Sequence, residues 1–199
     1  MSTHPEYSDL TMGVVAMQGS FAKHAYSVGK LGIKSRAVRT ADDLEDIDGL
    51  ILPGGESTTM TLLLESEGLW EPIQEAMDRL PVFGTCAGAI LLGRQVDDHR
   101  VRCFERMDYM PERNAYGRQI ESFTTSLVIP KILDHDFHAI FIRAPKFRDL
   151  GKDVQTLAVF GSEPVLMRQD NFLAASFHPE LTDDPGIHKY FVDKMILKK

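Results

Sequence analysis

A cysteine flanked by glycines stands where a buried strand gives way to a helix. The apolar pair Val82-Phe83 leads into Gly84-Thr85-Cys86-Ala87-Gly88, and an apolar run follows. A sharp strand-to-helix turn needs such glycines, because its backbone passes close to neighbouring chain. This turn, called the elbow below, presents the thiol at a helix N-terminus, where the helix dipole favours the thiolate. The pattern predicts an α/β fold with Cys86 as a nucleophile.

A second motif, near the C-terminus, supplies the partners that a cysteine nucleophile needs. His178-Pro179-Glu180 follows the strand-like run 172–177. In an extended segment, residues two apart point the same way, so His178 and Glu180 can face one nucleophile. The end of a strand is also where α/β enzymes place catalytic groups. We predict a Cys-His-Glu triad with His178 as base and Glu180 as its orienter. The alternative is that Cys86 is a small buried core residue.

Strands and helices alternate through the first half of the chain, and strands dominate the second half. The first half predicts strands at 11–17, 33–38, 49–52 and before the elbow, and helices at 21–31, 57–65 (capped by Ser57) and 69–80. The second half predicts strands at 119–129, 139–142, 156–160, 164–168 and 171–177, and a closing helix at 187–198. This order implies a mostly parallel central sheet flanked by helices, with an added antiparallel portion. We predict one domain at 11–199 after an N-terminal extension at 1–10.

Composition argues against several kinds of partner. The net charge is −7, which disfavours nonspecific binding to nucleic acid or to an anionic membrane. No apolar run approaches the roughly 18 residues of a membrane span, and the N-terminus does not resemble a signal peptide. Two cysteines do not make a disulfide scaffold, so a cytoplasmic setting is expected. The spacing of His99 and Cys103 does not extend into a zinc pattern, so we predict no metal and no cofactor.

A second glycine turn, Pro53-Gly54-Gly55-Glu56-Ser57, also follows a buried strand. Its free N–H groups can bind an anion, although such a turn alone would more often be an ordinary helix cap. Acyl transfer needs two N–H donors for the tetrahedral oxyanion. Beside an elbow cysteine, Ala87 and Gly55 are therefore the candidates for an oxyanion hole.

Two arginines stand next to predicted strands. Arg113 opens a polar, basic segment before one strand, and Arg143 lies at the end of another. Either guanidinium could hold a carboxylate through two hydrogen bonds. The alternative for each is the usual one for arginine, a solvated surface position.

Taken in order, these motifs resemble the glutaminase subunits of pyridoxal 5′-phosphate synthase, which are class I (triad) glutamine amidotransferases. The matching segments are Gln18-Gly19, 52–60, 83–88, Arg113-Asn114, Gly117-Arg118-Gln119, 141–145 and 176–182. The resemblance implies hydrolysis of L-glutamine to glutamate and ammonia by Cys86, His178 and Glu180. It implies that glutamine is contacted by Gly55, Glu56, Ser57, Arg113, Ile142 and Arg143. The partner it implies is a separate, barrel-shaped synthase subunit that uses the ammonia to build pyridoxal 5′-phosphate.

The chain departs from this family pattern in its first ten or so residues and at 95–110, neither of which reaches the triad. One alternative is another triad glutaminase, serving nucleotide, tryptophan or histidine synthesis. In those enzymes the cysteine motif resembles G-x-C-x-G-x-Q, whereas this chain has Ile90 where that motif has glutamine. A second is a cysteine hydrolase or stress protein on a related fold, which would lack the His-Pro-Glu motif. A third is a noncatalytic regulatory partner, against which the intact triad argues.

Overall fold

Eleven strands and five α-helices make up the computed structural model, which describes residues 5–113, 115 and 122–199. The strands are β1 (Thr11–Val15), β2 (Lys34–Val38), β3 (Gly49–Leu52), β4 (Val82–Thr85), β5 (Met110–Glu112), β6 (Ser122–Leu127), β7 (Phe137–Ile142), β8 (Lys146–Arg148), β9 (Gln155–Phe160), β10 (Glu163–Gln169) and β11 (Phe172–Ala175). The helices are α1 (Phe21–Lys30), α2 (Ser57–Ser66), α3 (Trp70–Ala76), α4 (Ala87–Leu92) and α5 (Gly186–Phe191). Short 3-10 helices occur at Pro5–Tyr7, Ala41–Leu44 and Pro179–Leu181.

The central sheet has seven strands in the order β2-β1-β3-β4-β11-β10-β9. Neighbours from β2 to β11 run parallel, while β10 pairs antiparallel with both β11 and β9. Two further antiparallel pairs, β5 with β8 and β6 with β7, lie outside this sheet. The predicted fold class, a mostly parallel sheet with an antiparallel addition, is confirmed. Because β4 and β11 are parallel neighbours, the two segments that follow them emerge side by side.

Each face of the sheet carries its own hydrophobic core. Along β3, Leu50 and Leu52 pack with apolar residues of α2, α3 and α4. Ile51 points to the other face, where it packs with α1, α5 and the β6-β7 pair. This alternation follows from the period-two geometry of a strand, and burial on both faces explains why β3 carries three large apolar residues in a row, Leu50 to Leu52. No helix within the described ranges is long and apolar enough to cross a membrane.

Most predicted elements are confirmed to within a few residues of their ends, and two helices differ. The helix predicted at 69–80 ends at Ala76 and continues only as turns. The closing helix is α-helical only to Phe191, after which Val192–Ile196 form a π-helical turn. The N–H of Leu197 donates to the carbonyl of Val192 at 2.9 Å, the five-residue spacing of that wider turn. The sequence does not predict the strands β5 and β8, because three residues are too few to show an alternating pattern.

The described part of the predicted N-terminal extension packs on the domain. Tyr7 is only 2% exposed, and its hydroxyl donates to the carboxylate of Asp193 near the C-terminus. Leu10 is also buried. The domain boundary at residue 11 stays a prediction. Residues 1–4 of the extension, and Asn114 and Gly117-Arg118-Gln119 of the basic segment, lie outside the described residues.

Candidate active site

The turn between β4 and α4 holds Cys86 in a strained backbone conformation. Cys86 has φ 48° and ψ −104°, a positive φ that is uncommon for a residue with a side chain. The glycines on either side allow the turn. A Cβ on Gly88 would come within 2.0 Å of the carbonyl oxygen of Leu52, and one on Gly84 within 2.7 Å of the Gly88 backbone. The turn therefore has the geometry of a nucleophile elbow, as the sequence predicted.

His178 and Glu180 follow β11, which lies next to β4. The N–H of His178 donates to the carbonyl of Ile140 at 2.8 Å, which fixes the backbone there. The side-chain Nδ1 of His178 lies 2.7 Å from Oε1 of Glu180. Since a carboxylate only accepts, Nδ1 carries the proton of this bond, and Nε2 is left to face the thiol. The predicted pair is thus formed, with Glu180 only 1% exposed behind the imidazole.

Gly54 lets the histidine and the cysteine approach each other. A Cβ on Gly54 would lie 2.4 Å from Cε1 of His178 and 3.3 Å from Cβ of Cys86. The Sγ of Cys86 also lies 3.7 Å from the carbonyl oxygen of Ile142, within the reach of a weak S–H donor. The glycine turn after β3 therefore acts as a wall of the reactive centre, and only a residue without a side chain fits there.

The charge states of the two triad partners follow from their surroundings. Burial alone would lower the pKa of His178, but hydrogen bonds to Cys86 and Glu180 and the charges of those groups raise it to about 10. Burial would raise the pKa of Glu180, but His24 and His178 on either side outweigh it and lower the pKa. An imidazole with a raised pKa takes up a thiol proton readily, and an ionised Glu180 holds the resulting cation in place.

A cavity of about 250 Å³ opens onto Cys86 and His178. This volume is near the lower end for small-molecule pockets, as suits a ligand the size of one amino acid. All six predicted glutamine-contacting residues line it. The lining residues are Gly19, Ser20, Gly54, Gly55, Glu56, Ser57, Cys86, Ile90, Arg113, Ile142, Arg143 and His178. Glu180 and Ala87 do not line it: Glu180 lies behind His178, and Ala87 is a buried residue of the elbow.

Glu56 and Arg113 are already bonded to each other across the cavity. Nη2 of Arg113 lies 2.9 Å from Oε1 of Glu56, and Nη1 lies 2.5 Å from Oδ2 of Asp98. Burial would raise the pKa of Glu56, but its hydrogen bonds to Thr58 and Thr59 and the charge of Arg113 lower it. Asp98 is also paired with Arg100, whose Nη2 lies 2.8 Å from Oδ2, so Arg113 and Arg100 together balance Glu56 and Asp98.

The cap of α2 differs from the prediction. Glu56, not Ser57, is the N-cap: its backbone is extended, and its carboxylate accepts from the N–H of Thr59 at 3.0 Å. Ser57 is the first helical residue, and its side chain is buried. A glutamate cap was hard to foresee, because serine is the preferred residue at that position. The cap fixes one end of Glu56 while its other oxygen faces Arg113.

Arg143 is the other cation at the cavity. It is exposed, and it forms no ion pair with any residue in the described ranges. Its φ of 43° is again uncommon for a residue with a side chain. The strained backbone follows directly after β7, whose last residue, Ile142, contributes its carbonyl next to Cys86. Arg113 and Arg143 therefore differ: the first is neutralised within the protein and the second is not.

The second cysteine lies apart from this cavity. Cys103 lines a larger cavity, of about 860 Å³, between α2 and residues 95–105. Burial raises the pKa of its thiol to about 12, which makes it a poor nucleophile at neutral pH. The thiol of Cys86, by contrast, is hydrogen-bonded to the imidazole of His178.

Sequence reasoning missed a layer of polar residues behind the triad. His24 on α1 and His188 on α5 are both fully buried and lie 2.9 Å apart between Nδ1 and Nε2. Nε2 of His24 lies 3.1 Å from the hydroxyl of Thr85 and 3.4 Å from Oε2 of Glu180. Neither histidine belongs to a recognisable motif. Their only sequence signal is a histidine on the apolar face of each helix, which is weak.

Comparisons with known proteins identify relatives of the whole chain. A family model described as the SNO glutamine amidotransferase family matches residues 14–197. A solved structure described as a glutamine amidotransferase superposes with a TM-score of 0.85 at 44% identity, covering 92% of this chain and 97% of that one.

Two curated relatives are similar over nearly their whole length. One is pyridoxal 5′-phosphate synthase subunit PdxT of Carboxydothermus hydrogenoformans, 44% identical over 94% of this chain and 98% of the relative. The other is the protein of the same name from Pseudothermotoga lettingae, 47% identical over 92% and 95% of the two chains.

Proposed function

We propose that this chain, which belongs to the SNO glutamine amidotransferase family, hydrolyses the side-chain amide of L-glutamine with Cys86 as nucleophile. The observation that carries the proposal is the small cavity on which Cys86 and His178 converge, with Glu180 hydrogen-bonded behind the histidine. A thiol, a base and an orienting carboxylate are the groups that acyl transfer through a covalent intermediate requires.

The reaction balances in two steps. In the first, Sγ of Cys86 attacks the amide carbon, His178 takes the thiol proton, and the same proton passes to the nitrogen that leaves as ammonia. A γ-glutamyl thioester on Cys86 remains. In the second, His178 takes a proton from water, the hydroxide attacks the thioester, and the proton returns to the thiolate as glutamate leaves. Glu180 stays ionised throughout and stabilises the imidazolium.

The tetrahedral oxyanion of each step needs N–H donors. The N–H groups of Ala87 and Gly55 donate to no protein acceptor within the described ranges, which leaves both available. Ala87 follows the nucleophile at the start of α4, where N–H groups have no partner within the helix. Gly55 lines the cavity on the opposite turn. We assign the oxyanion hole to these two residues.

Free glutamine brings an α-carboxylate and an α-ammonium into the cavity. Arg143 offers a positive charge that forms no ion pair within the described ranges, which suits the carboxylate, and the carboxylate of Glu56 in the cavity wall suits the ammonium. Ser57, Ile142 and Arg113 complete the walls. Arg113 acts by holding Glu56 in place as well as by its own charge.

Loss of the Arg143 guanidinium is expected to weaken glutamine binding. Removing one partner of a close charge pair costs about 2–5 kcal/mol, so Arg143→Ala should raise KM for glutamine more than tenfold. Arg143→Lys should recover part of the loss, since it keeps the charge but not the two-pronged geometry. Arg168→Ala, on β10 away from the cavity, is the matched control. An unchanged KM in Arg143→Ala would place this arginine on the surface only.

The ammonia needs an acceptor, and the curated relatives carry the name of a synthase subunit. We propose that this chain supplies ammonia to a separate synthase subunit that makes pyridoxal 5′-phosphate. The docking face proposed is the one around the elbow and the loop after β1, where Gln18 donates from its side-chain amide to the carbonyl of Glu56 at 2.6 Å. A Cβ on Gly19 would also meet the carbonyl of Gly54 at 1.7 Å. A partner that binds this loop would therefore act directly on the Gly54-Gly55 turn, which carries one of the two proposed oxyanion donors.

Mixing experiments test this function. We expect docking to rearrange the backbone at Gly54-Gly55 and so aim the Gly55 N–H at the oxyanion. Ammonia release from glutamine should therefore be slow for the purified chain and rise by about 10²–10³ when the synthase subunit is added, which is the usual effect of one oxyanion donor on the rate. Ammonia supplied as a salt should support the synthase without this chain. Full glutaminase activity in the isolated chain, unaffected by mixing, would favour a free-standing hydrolase. Activation by a different synthase would favour another triad glutaminase.

A further inference from the structure

One carboxylate oxygen of Glu180 has a hydrogen-bond partner in the described structure and the other does not. Oε1 accepts from His178 at 2.7 Å. Oε2 is buried and has no well-aligned hydrogen bond among the described residues, and Nε2 of His24 lies 3.4 Å from it. An ionised carboxylate buried at 1% exposure is costly unless donors surround it. The structure therefore presents His24 as the available donor for the second oxygen.

The contacts of His24 decide where its proton lies. Burial lowers the pKa of His24 to about 4, so its imidazole is neutral at pH 7 and carries one N–H. With the proton on Nδ1, the Nε2 lone pair would face the Glu180 carboxylate and repel it. With the proton on Nε2, His24 donates toward Glu180 and the hydroxyl of Thr85, and Nδ1 accepts from Nε2–H of His188 at 2.9 Å. Electrostatics favours the second tautomer.

We propose that His24 is a positioning residue for the triad, donating from Nε2 to Oε2 of Glu180 so that Oε1 stays aimed at His178. His188 selects the tautomer of His24 by donating to Nδ1. This role rests on the proposed glutaminase function, because it is the orientation of His178 that His24 serves. His24 is absent from the cavity lining, so its effect is on turnover and not on glutamine binding.

The charges around Glu180 set the direction of the expected effect. The titratable groups that face it are His178, two residues before it, and His24 from α1. His188 also interacts with the charge of Glu180, while Cys86 acts through His178. A donated N–H stabilises the carboxylate, so losing it favours the protonated acid. Protonated Glu180 no longer stabilises a charged His178, so His178 becomes a weaker acceptor for the proton of the Cys86 thiol.

Three variants separate positioning from mere packing. His24→Leu removes the donor at similar volume, His24→Gln keeps an amide N–H near the place of Nε2, and Val28→Ala removes a buried apolar contact one turn later on α1. In the presence of the synthase subunit, His24→Leu should lower kcat for glutamine about tenfold or more with KM unchanged, and His24→Gln should restore most of it. Val28→Ala should lower thermal stability and leave kcat within about twofold.

Thiol reactivity gives a second readout that does not depend on turnover. In a Cys103→Ala background, Cys86 is the remaining cysteine, and the rate of its alkylation by iodoacetamide can be measured at neutral pH. The rate should fall by about tenfold in His24→Leu, and it should be unchanged in Val28→Ala and nearly so in His24→Gln. Equal alkylation rates in the Cys103→Ala parent and in His24→Leu would overturn the proposal. A wild-type chain without glutaminase activity would overturn the function instead, and the alkylation series would still decide the role of His24.

Discussion

Replacing Cys86 by alanine is expected to reduce ammonia release from glutamine by about 10⁴-fold or more, measured with the synthase subunit present. The loss is large because no other group can form the thioester, and the remaining oxyanion donors act on an intermediate that no longer arises. Cys103→Ala should leave turnover within about twofold, because that thiol lies on another cavity and burial raises its pKa to about 12. The two cysteines of the chain thus provide a test and its matched control.

Covalent labelling gives the same test without kinetics. A glutamine-mimicking electrophile should add its mass to the peptide that contains Cys86, and saturating glutamine should protect that peptide. Labelling of Cys103 at an equal rate, or glutamine turnover retained in Cys86→Ala, would show that the nucleophile has been wrongly assigned.

Removal of the base should cost more than removal of its orienter. His178→Asn is expected to lower kcat by about 10⁴–10⁶-fold, because the thiol then has no acceptor for its proton and ammonia no donor. Glu180→Gln should cost at least about tenfold less, since the imidazole remains but its 2.7 Å bond at Nδ1 no longer stabilises the positive charge. Both values come from initial rates at saturating glutamine with the synthase subunit present.

The double variant sharpens this comparison. If His178 and Glu180 act as a unit, combining the two changes should cost little more than His178→Asn alone. Near-wild-type turnover in the histidine variant would refute the triad. Losses that multiply would indicate that Glu180 acts on something other than the imidazole.

The elbow and the His-Pro-Glu motif could be predicted from the sequence because their geometry is local. Gly84 and Gly88 indicate that the backbone passes close to neighbouring segments. The two-residue spacing of His178 and Glu180 after a strand predicts that their side chains pair. The parallel sheet was equally predictable, since apolar runs such as Leu50 to Leu52 alternate with helical segments. In each case the signal lies within a few residues of the feature it describes.

The rest of the site depends on contacts between distant segments, and no local pattern encodes them. Arg113 lies 57 positions from its partner Glu56, and His24 lies 164 from His188. Sequence alone offered Arg113 and Arg143 as equal candidates for a carboxylate, and only the fold separates the paired guanidinium from the unpaired one. The glutamate cap of α2 was missed for a different reason, because residue preference at that position points to serine.

The position of β11 between β4 and β10 has a consequence for the protein while it is synthesised on the ribosome. The strand that leads to His178 is the last of this sheet in chain order, yet it lies inside the sheet and pairs with the strand that leads to Cys86. A ribosome-bound chain ending before residue 172 has Cys86 but lacks His178 and Glu180. On the proposed mechanism, the nascent chain therefore cannot release ammonia before this sheet is complete, and its late closure is a folding step between segments far apart in sequence.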